Sequence, residues 1–185
     1  MTEMKKKVNM IAAVCNGLGI GYGGKLPWPL IKKDHDFLTK SVTSVKDESR
    51  RNVVIIGRKT MIFDAECKSF PNVITVVLSR TMQEKPSWTD YLCQSLEDAL
   101  SLVNSNTLSN QVESVWILGG TELYKIGSKY CDFIYLTRIF QDFQCDTFFP
   151  EIDWSSFIKI RDPEINDSEQ IDNDIKFQIE VYKRK

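Results

Sequence analysis

The chain has one histidine, at position 35, and no two cysteines at Cys-x-x-Cys spacing. Zinc sites draw on clustered histidines and cysteines, so no metal site is assigned. A Ser-His-Asp or Cys-His nucleophile would have to use His35, and no Gly-x-Ser-x-Gly elbow accompanies it. The cysteines (15, 67, 93, 131 and 145) are odd in number and scattered, as expected of free thiols in a reducing compartment rather than a disulfide framework. No apolar run approaches the ~20 residues needed to span a bilayer. The segment Met1–Lys7 has no secretory apolar region and no small-residue cleavage site, so a cytoplasmic protein is expected. Neither sign of charge dominates: 24 Lys and Arg stand against 25 Asp and Glu, which argues against nucleic acid or an anionic membrane as the main partner. Repeats and linker-like stretches are lacking too, so residues 1–185 are expected to form a single domain.

What is present is an ordinary globular composition, 42% apolar and 26% charged. Val8 to Cys15, Val53 to Ile56, Val73 to Leu78 and Val115 to Leu118 are short apolar runs rich in β-branched residues, as in strands buried on both faces of a parallel sheet. Helices are expected between them, at 31–42, around 59–65, at 96–103 and at 121–127. Ser95-Leu-Glu-Asp98 supplies an N-cap and acidic first-turn residues. Alternation of the two types indicates an α/β fold with crossovers. Residues 133–139 and 176–182 read as further strands, and the acidic stretch Asp162 to Asp174 as a solvated loop.

One carboxylate is out of place. Ile31, Asp34, His35 and Leu38 fall at i, i+3, i+4 and i+7 and share one helical face, while Lys32, Lys33 and Asp36 can meet water. A carboxylate on an apolar face is costly unless it is paired or hydrogen-bonded, which makes Asp34 a candidate for ligand recognition or acid chemistry.

Gly19-Ile-Gly-Tyr-Gly-Gly24 matches a dinucleotide fingerprint, but Pro27 and Pro29 follow too soon for the helix that fingerprint must open. It is read instead as a flexible loop able to fold over a ligand. Three strand ends carry a better phosphate signal: Gly57-Arg58-Lys59-Thr60, Ser79-Arg80-Thr81 and Gly119-Gly120-Thr121-Glu122. The carboxyl ends of parallel strands share an edge where ligands bind, glycines admit phosphate to the backbone, and arginine and lysine pair with it. Three such sites at one edge suggest a ligand with several phosphates.

These motifs, in this order, resemble the dihydrofolate reductases. The likeness runs from about Val8 to Tyr182. It rests on Gly19-Ile-Gly, Leu26-Pro-Trp-Pro29, Gly57-Arg-Lys-Thr60, Leu78-Ser-Arg80, Leu118-Gly-Gly-Thr-Glu-Leu-Tyr124, Leu136-Thr-Arg-Ile139 and Asp146-Thr-Phe-Phe-Pro-Glu-Ile152. The last of these, with Gln141-Asp-Phe143, is similar to the animal, monofunctional form, and no thymidylate synthase domain is expected to follow. The resemblance implies a mostly parallel eight-stranded sheet with a C-terminal antiparallel strand and four flanking helices. It implies reduction of 7,8-dihydrofolate to tetrahydrofolate by NADPH, antifolate-type inhibitors and a monomer. Asp34 then matches the carboxylate that binds the pterin, Trp28 the tryptophan that holds an ordered water, and Thr137 the threonine behind the carboxylate. Ile11, Ala12, His35, Leu38, Phe70, Val73, Leu118 and Tyr124 match the rest of the substrate site. Ala13 and Ile20 match nicotinamide contacts, with Leu26 in the same mobile loop. Gly57, Arg58, Lys59 and Thr60, then Gly119, Gly120, Thr121, Glu122 and Leu123, match the two phosphate-binding turns. Leu78, Ser79 and Arg80, with Arg58, match the group at the ribose 2′-phosphate.

The chain also departs from the family. The arginine that pairs with the substrate's glutamate tail falls at Val73, and no arginine occurs from Lys59 to Ser79. Lys68 is the basic residue left in that loop, and it lacks the planar fork. Leu38 stands where phenylalanine is usual, His35 where leucine or phenylalanine is usual, and Met61 replaces a common tryptophan. His35 is either a tolerated wall residue or a reader of a different tail. A lost charged hydrogen bond and a lost aromatic contact together weaken dihydrofolate binding by roughly 2–4 kcal/mol. The expectation is an active reductase with a raised Michaelis constant. A reductase of a tail-free dihydropterin and a weakly catalytic NADPH- or folate-binding paralogue are the alternatives.

Overall fold

Continuous apolar runs become the middle of one sheet. A computed structural model describes residues 6–63 and 70–185, with the side chains of residues 61–63 left aside. The described elements are β1 (Lys7–Val14), β2 (Gly19–Gly21), α1 (Lys32–Thr43), β3 (Arg51–Gly57), α2 (Arg58–Phe63), β4 (Ile74–Leu78) and β5 (Tyr91–Cys93). They continue with α3 (Leu96–Val103), β6 (Val112–Ile117), α4 (Thr121–Gly127), β7 (Phe133–Ile139), β8 (Thr147–Phe148), β9 (Phe157–Ile160), β10 (Gln170–Asp172) and β11 (Ile175–Arg184). The sheet runs β10-β11-β7-β1-β6-β3-β4-β5, the eight strands expected, and β9 adds to the outer edge of β11 beside β10. From β7 to β5 every pairing is parallel, whereas β11 runs antiparallel to β7.

Side-chain alternation divides the core between the two faces of this sheet. Met10, Ala12 and Val14 of β1 join Val53, Ile55, Ile74 and Val76 under α3 and α4. Ile11, Val54, Ile56 and Val77 join Val42 of α1 on the other face. Strand β7 and helices α3 and α4 have the bounds read from the sequence. The short pieces β2, β5, β8, β9 and β10 do not, because two to four residues carry no detectable period.

Two expectations are corrected. The acidic stretch 162–174 is not wholly a solvated loop, since it contains β10, hydrogen-bonded to β11. The glycine-rich segment is not a free loop, since Gly19 and Gly21 pair with Phe148 and Thr147 of β8. Positions 64–65 of the expected second helix, Cys67, Lys68 and the Met61 side chain lie outside the described residues.

Helix α1 carries Asp34 and is held at its N-terminal end by a residue distant in sequence and at its C-terminal end by the strand that follows it. Its N-cap is Ile31, which has no side chain to cap with. Asp172 of β10 does that work from afar: its carboxylate accepts the Lys33 backbone N–H at 2.8 Å. The Lys33 ammonium returns a bond of 3.0 Å to the Ile171 carbonyl. At the other end Asn52 of β3, 1% exposed, donates to the carbonyls of Val42 and Ser44 at 3.0 and 2.8 Å. Asn52 also accepts from the Ser114 hydroxyl, which in turn accepts from the Trp116 indole.

Asn52→Ala strips partners from the Val42 carbonyl and the Ser114 hydroxyl. We expect a stability loss of about 2–4 kcal/mol in urea unfolding, since buried polar groups left unpaired cost about 1–3 kcal/mol each. A loss within error of zero would mean that water replaces the amide there.

Candidate active site

The site forms where α1 crosses the carboxyl ends of β1 and β7. In the parallel register Ile11 lies beside Tyr135 and Ala13 beside Thr137. Thr137 is 1% exposed, and its hydroxyl donates to the Asp34 carboxylate at 2.6 Å. This bond joins the helix to the sheet and gives the half-buried carboxylate a partner. Burial pushes the Asp34 carboxyl up from 3.8 to about 6, while the Thr137 hydrogen bond and the nearby His35 pull it down. Asp34 therefore changes charge near neutrality, as a group engaged in proton chemistry must.

Around it the residues read from the sequence fall into place unevenly. Trp28 is buried with Ile31 at the start of α1, in a cluster that Ala13 and Phe143 pack against. Its ring meets Phe143 edge-on at 6.0 Å. The Tyr124 hydroxyl lies 2.9 Å from both the Ile11 and the Leu118 carbonyls, so it bridges the middle of β1 and the residue that follows β6. Leu38, Phe70 and Val73 pack together against the cluster that holds Ile11 and Leu118. Ala12 is the exception: its side chain belongs to the opposite core, with Met10 and Val14, and only its backbone passes the site. His35 is half-buried and stands 4.0 Å from Asp36. Asp172 and Asn52, which set the position of α1, were missed in the sequence. Asp172 was visible there only as one member of an acidic run, and Asn52 only as a polar residue beside a strand.

The three candidate phosphate sites do share one edge. Gly57 lies beside Leu78 in the β3–β4 register, and its N–H donates to the Gly119 carbonyl at 2.8 Å. The ends of β6, β3 and β4 are thus adjacent, backbone against backbone. A Cβ on Gly120 would stand 3.2 Å from the Thr60 hydroxyl oxygen, and one on Gly119 would sit 2.6 Å from the Tyr124 ring. Gly119 also has φ of 97°, which favours glycine. Arg58, Lys59, Arg80 and Glu122 are exposed at this rim. Ser79 is buried, and its oxygen accepts from the Thr81 and Met82 N–H groups at 3.3 and 3.1 Å, so its hydroxyl proton remains to be donated. Thr121 spends its hydroxyl on the Phe148 carbonyl. Leu123 is a core residue, and only its backbone lies at this edge. Ile20 is half-buried against the same core. A glycine-lined edge with arginine and lysine around it fits a dinucleotide carrying an extra phosphate.

Among the described residues no helix is long and apolar enough to cross a membrane, and no group of three or more His, Cys, Asp or Glu could hold a metal ion. The family model for dihydrofolate reductase matches residues 7–184. The dihydrofolate reductase of Gallus gallus is 37% identical over 184 residues, covering 97% of both chains. That of Drosophila melanogaster is 36% identical over 183 residues, covering 96% of this chain and 98% of its own. The structure of Schistosoma mansoni dihydrofolate reductase superposes with a TM-score of 0.84 at 32% identity, over 98% of this chain and all of the other. The Enterococcus faecalis enzyme complexed with NADP(H) and RAB-propyl gives 0.79 at 28% identity, over 97% of each.

The raised pKa fixes the sign of a stability effect. A carboxyl whose folded pKa lies above its unfolded value contributes stability that is fully present below about pH 3.8 and is lost as the pH rises through about 6. Ionised Asp34 then costs roughly 3 kcal/mol at neutral pH, at ~1.36 kcal/mol per unit. Asp34→Asn keeps an acceptor for Thr137 and removes the charge. It should be more stable than wild type in urea at about pH 8, with the gap closing by about pH 4. Equal stabilities at about pH 8 would show that Asp34 carries no burial cost.

Proposed function

The chain belongs to the dihydrofolate reductase family, and on that premise we propose how its own residues divide the work. It is an NADPH-dependent oxidoreductase that reduces 7,8-dihydrofolate to 5,6,7,8-tetrahydrofolate. The observation that carries the assignment of roles is the Thr137–Asp34 hydrogen bond of 2.6 Å, set beside three adjoining glycine-lined strand ends.

NADPH, when bound, supplies a hydride to the pterin. Arg58, Lys59 and Thr60 would hold its pyrophosphate from one side, where Gly57 leaves room by having no side chain, and Gly119 to Leu123 from the other. Arg80, Ser79 and Arg58 would take the ribose 2′-phosphate, with Leu78 behind them, and this selects NADPH over NADH. Ala13 and Ile20 would flank the nicotinamide.

Asp34 anchors the pterin by accepting its amino and ring N–H groups in a charge-assisted pair. Thr137 fixes which way the carboxylate faces. The carbonyls of Ile11 and Leu118, held together by Tyr124, present acceptors at the other pterin edge. A proton must reach the ring nitrogen next to the carbon that takes the hydride. A carboxyl that titrates near 6 promotes that step through water, and Trp28 would keep the water in place. Leu38, Phe70, Val73 and His35 would line the route to the tail. At 97% coverage by an animal dihydrofolate reductase, the tail-free alternative is not favoured. The missing arginine at Val73 is read as weaker tail recognition. We further propose that residues 1–185 form a single domain that acts as a monomer in the cytoplasm.

The assay is steady-state NADPH oxidation with dihydrofolate and with a tail-free dihydropterin. Wild type should turn over dihydrofolate, with an inflection in kcat/KM near pH 6. Asp34→Asn should lose most turnover at neutral pH, lose the inflection and still bind NADPH. No turnover by wild type, or a fully active Asp34→Asn, would refute the assignment. Val73→Arg should lower KM for dihydrofolate roughly ten- to a hundredfold, the equivalent of a charged hydrogen bond of ~1.5–3 kcal/mol, and leave KM for the tail-free pterin alone. An unchanged KM for dihydrofolate would show that Val73 does not face the tail.

A further inference from the structure

Two thiols meet beside the nicotinamide end of the site, and the reaction uses neither. Cys15 follows β1 and is 3% exposed. Cys145 is half-buried in the connection from β7 to β8. Their sulfurs are 3.6 Å apart. The Cys15 thiol donates to the Asn16 carbonyl at 3.5 Å, which leaves Cys145 to donate to the Cys15 sulfur. Cys93 lies in β5 and Cys131 beyond α4, so among the described residues Cys15 and Cys145 are the thiols that meet.

Gly19 makes room for the pair. A Cβ on it would stand 2.2 Å from the Cys145 sulfur and 2.9 Å from the Cys15 sulfur. No side chain therefore keeps the sulfurs apart. The same spot is where the glycine-rich segment is fastened. The Cys15 N–H donates to the Gly19 carbonyl at 3.0 Å, the Asp146 N–H to the Gly21 carbonyl at 3.0 Å, and the Asn16 N–H to the Gln141 carbonyl at 3.2 Å. The Asp146 carboxylate accepts the Gly23 N–H at 2.8 Å.

We propose that Cys15 and Cys145 are a redox modification site, converted by a low-molecular-weight disulfide into one intramolecular disulfide that clamps the glycine-rich segment and slows turnover. The half-buried Cys145 meets the oxidant first. Its thiolate attacks one oxidant sulfur, forms a mixed disulfide and releases the other half as a thiol. The Cys15 thiolate then attacks the Cys145 sulfur, forms the Cys15–Cys145 bond and releases the second thiol. Two protein thiols lose two electrons and two protons, and the oxidant disulfide becomes two thiols. The sulfurs must close from 3.6 Å to about 2.05 Å, and a glycine at position 19 leaves no Cβ in the way. Burial, with help from Cys15 and Asp146, pushes the Cys145 thiol up to about 11, so thiolate is scarce at neutral pH and the oxidation is slow. The covalent tie would hold β2 in its present pairing with β8 and so slow any opening of this segment during cofactor exchange.

The test incubates the whole enzyme with oxidised glutathione, maps disulfides by non-reducing peptide mass spectrometry, and measures kcat for dihydrofolate before and after dithiothreitol. The expected result is a Cys15–Cys145 cross-linked peptide, a roughly tenfold fall in kcat, recovery on reduction, and neither effect in Cys145→Ser. The proposal is overturned by a cross-link that does not form, by glutathione that stays on Cys145, by a cross-linked enzyme with unchanged kcat, or by an equal loss of activity in Cys145→Ser. The slowing of turnover rests on the functional reading above, but the cross-link is mapped without it. A reduced enzyme that fails to turn over dihydrofolate therefore refutes that reading separately.

Discussion

A single hydrogen bond, from the Thr137 hydroxyl to the Asp34 carboxylate at 2.6 Å, joins the catalytic helix to the sheet. It gives a half-buried acid a partner, sets the direction of that acid and lowers its pKa against the upward push of burial. The bond requires α1 to cross β7 at one place, yet the helix has no cap of its own. Asp172 supplies the missing cap from a hairpin near the C-terminus, and Asn52 ties down the opposite end from β3. The position of one carboxylate thus depends on four elements, two of them, β7 and β10, far from α1 in sequence. This is how a site can hold an acid near neutrality without letting it relax toward water.

The two ends of the cleft are built on different principles. On the side proposed for the cofactor the strands approach through bare backbone, the Gly57 N–H against the Gly119 carbonyl, with arginine and lysine exposed around them. At the edge proposed for the pterin the acceptors are the Ile11 and Leu118 carbonyls, bridged by the Tyr124 hydroxyl. Leu38, Phe70 and Val73, the residues proposed to line the route to the tail, pack against one apolar cluster that holds Ile11 and Leu118.

The glycine-rich segment shows where local reading runs out. Its glycines match a dinucleotide fingerprint but Pro27 and Pro29 rule one out, and this is decided by covalent geometry alone. That the segment would pair with Thr147–Phe148 and bring Cys15 against Cys145 could not be read locally, because both contacts join positions more than 120 residues apart. Ala12 illustrates the same limit on a smaller scale. The motif places it in the site, while strand alternation turns its side chain into the other core.

The sequence by itself determined the alternation of strands and helices, the parallel character of the sheet and the candidacy of Asp34, because apolar periodicity and charge placement are local properties of the chain. It also determined the family, because the spacing of its motifs is specific. Tertiary structure alone decided that Asp172 caps α1, that Gly57 meets Gly119 and that the two thiols lie over Gly19, and it gave the Thr137–Asp34 pair implied by the family resemblance its hydrogen bond. Those pairings depend on sheet order and register, and these emerge only when buried surface and unpaired backbone groups from the whole chain are satisfied together.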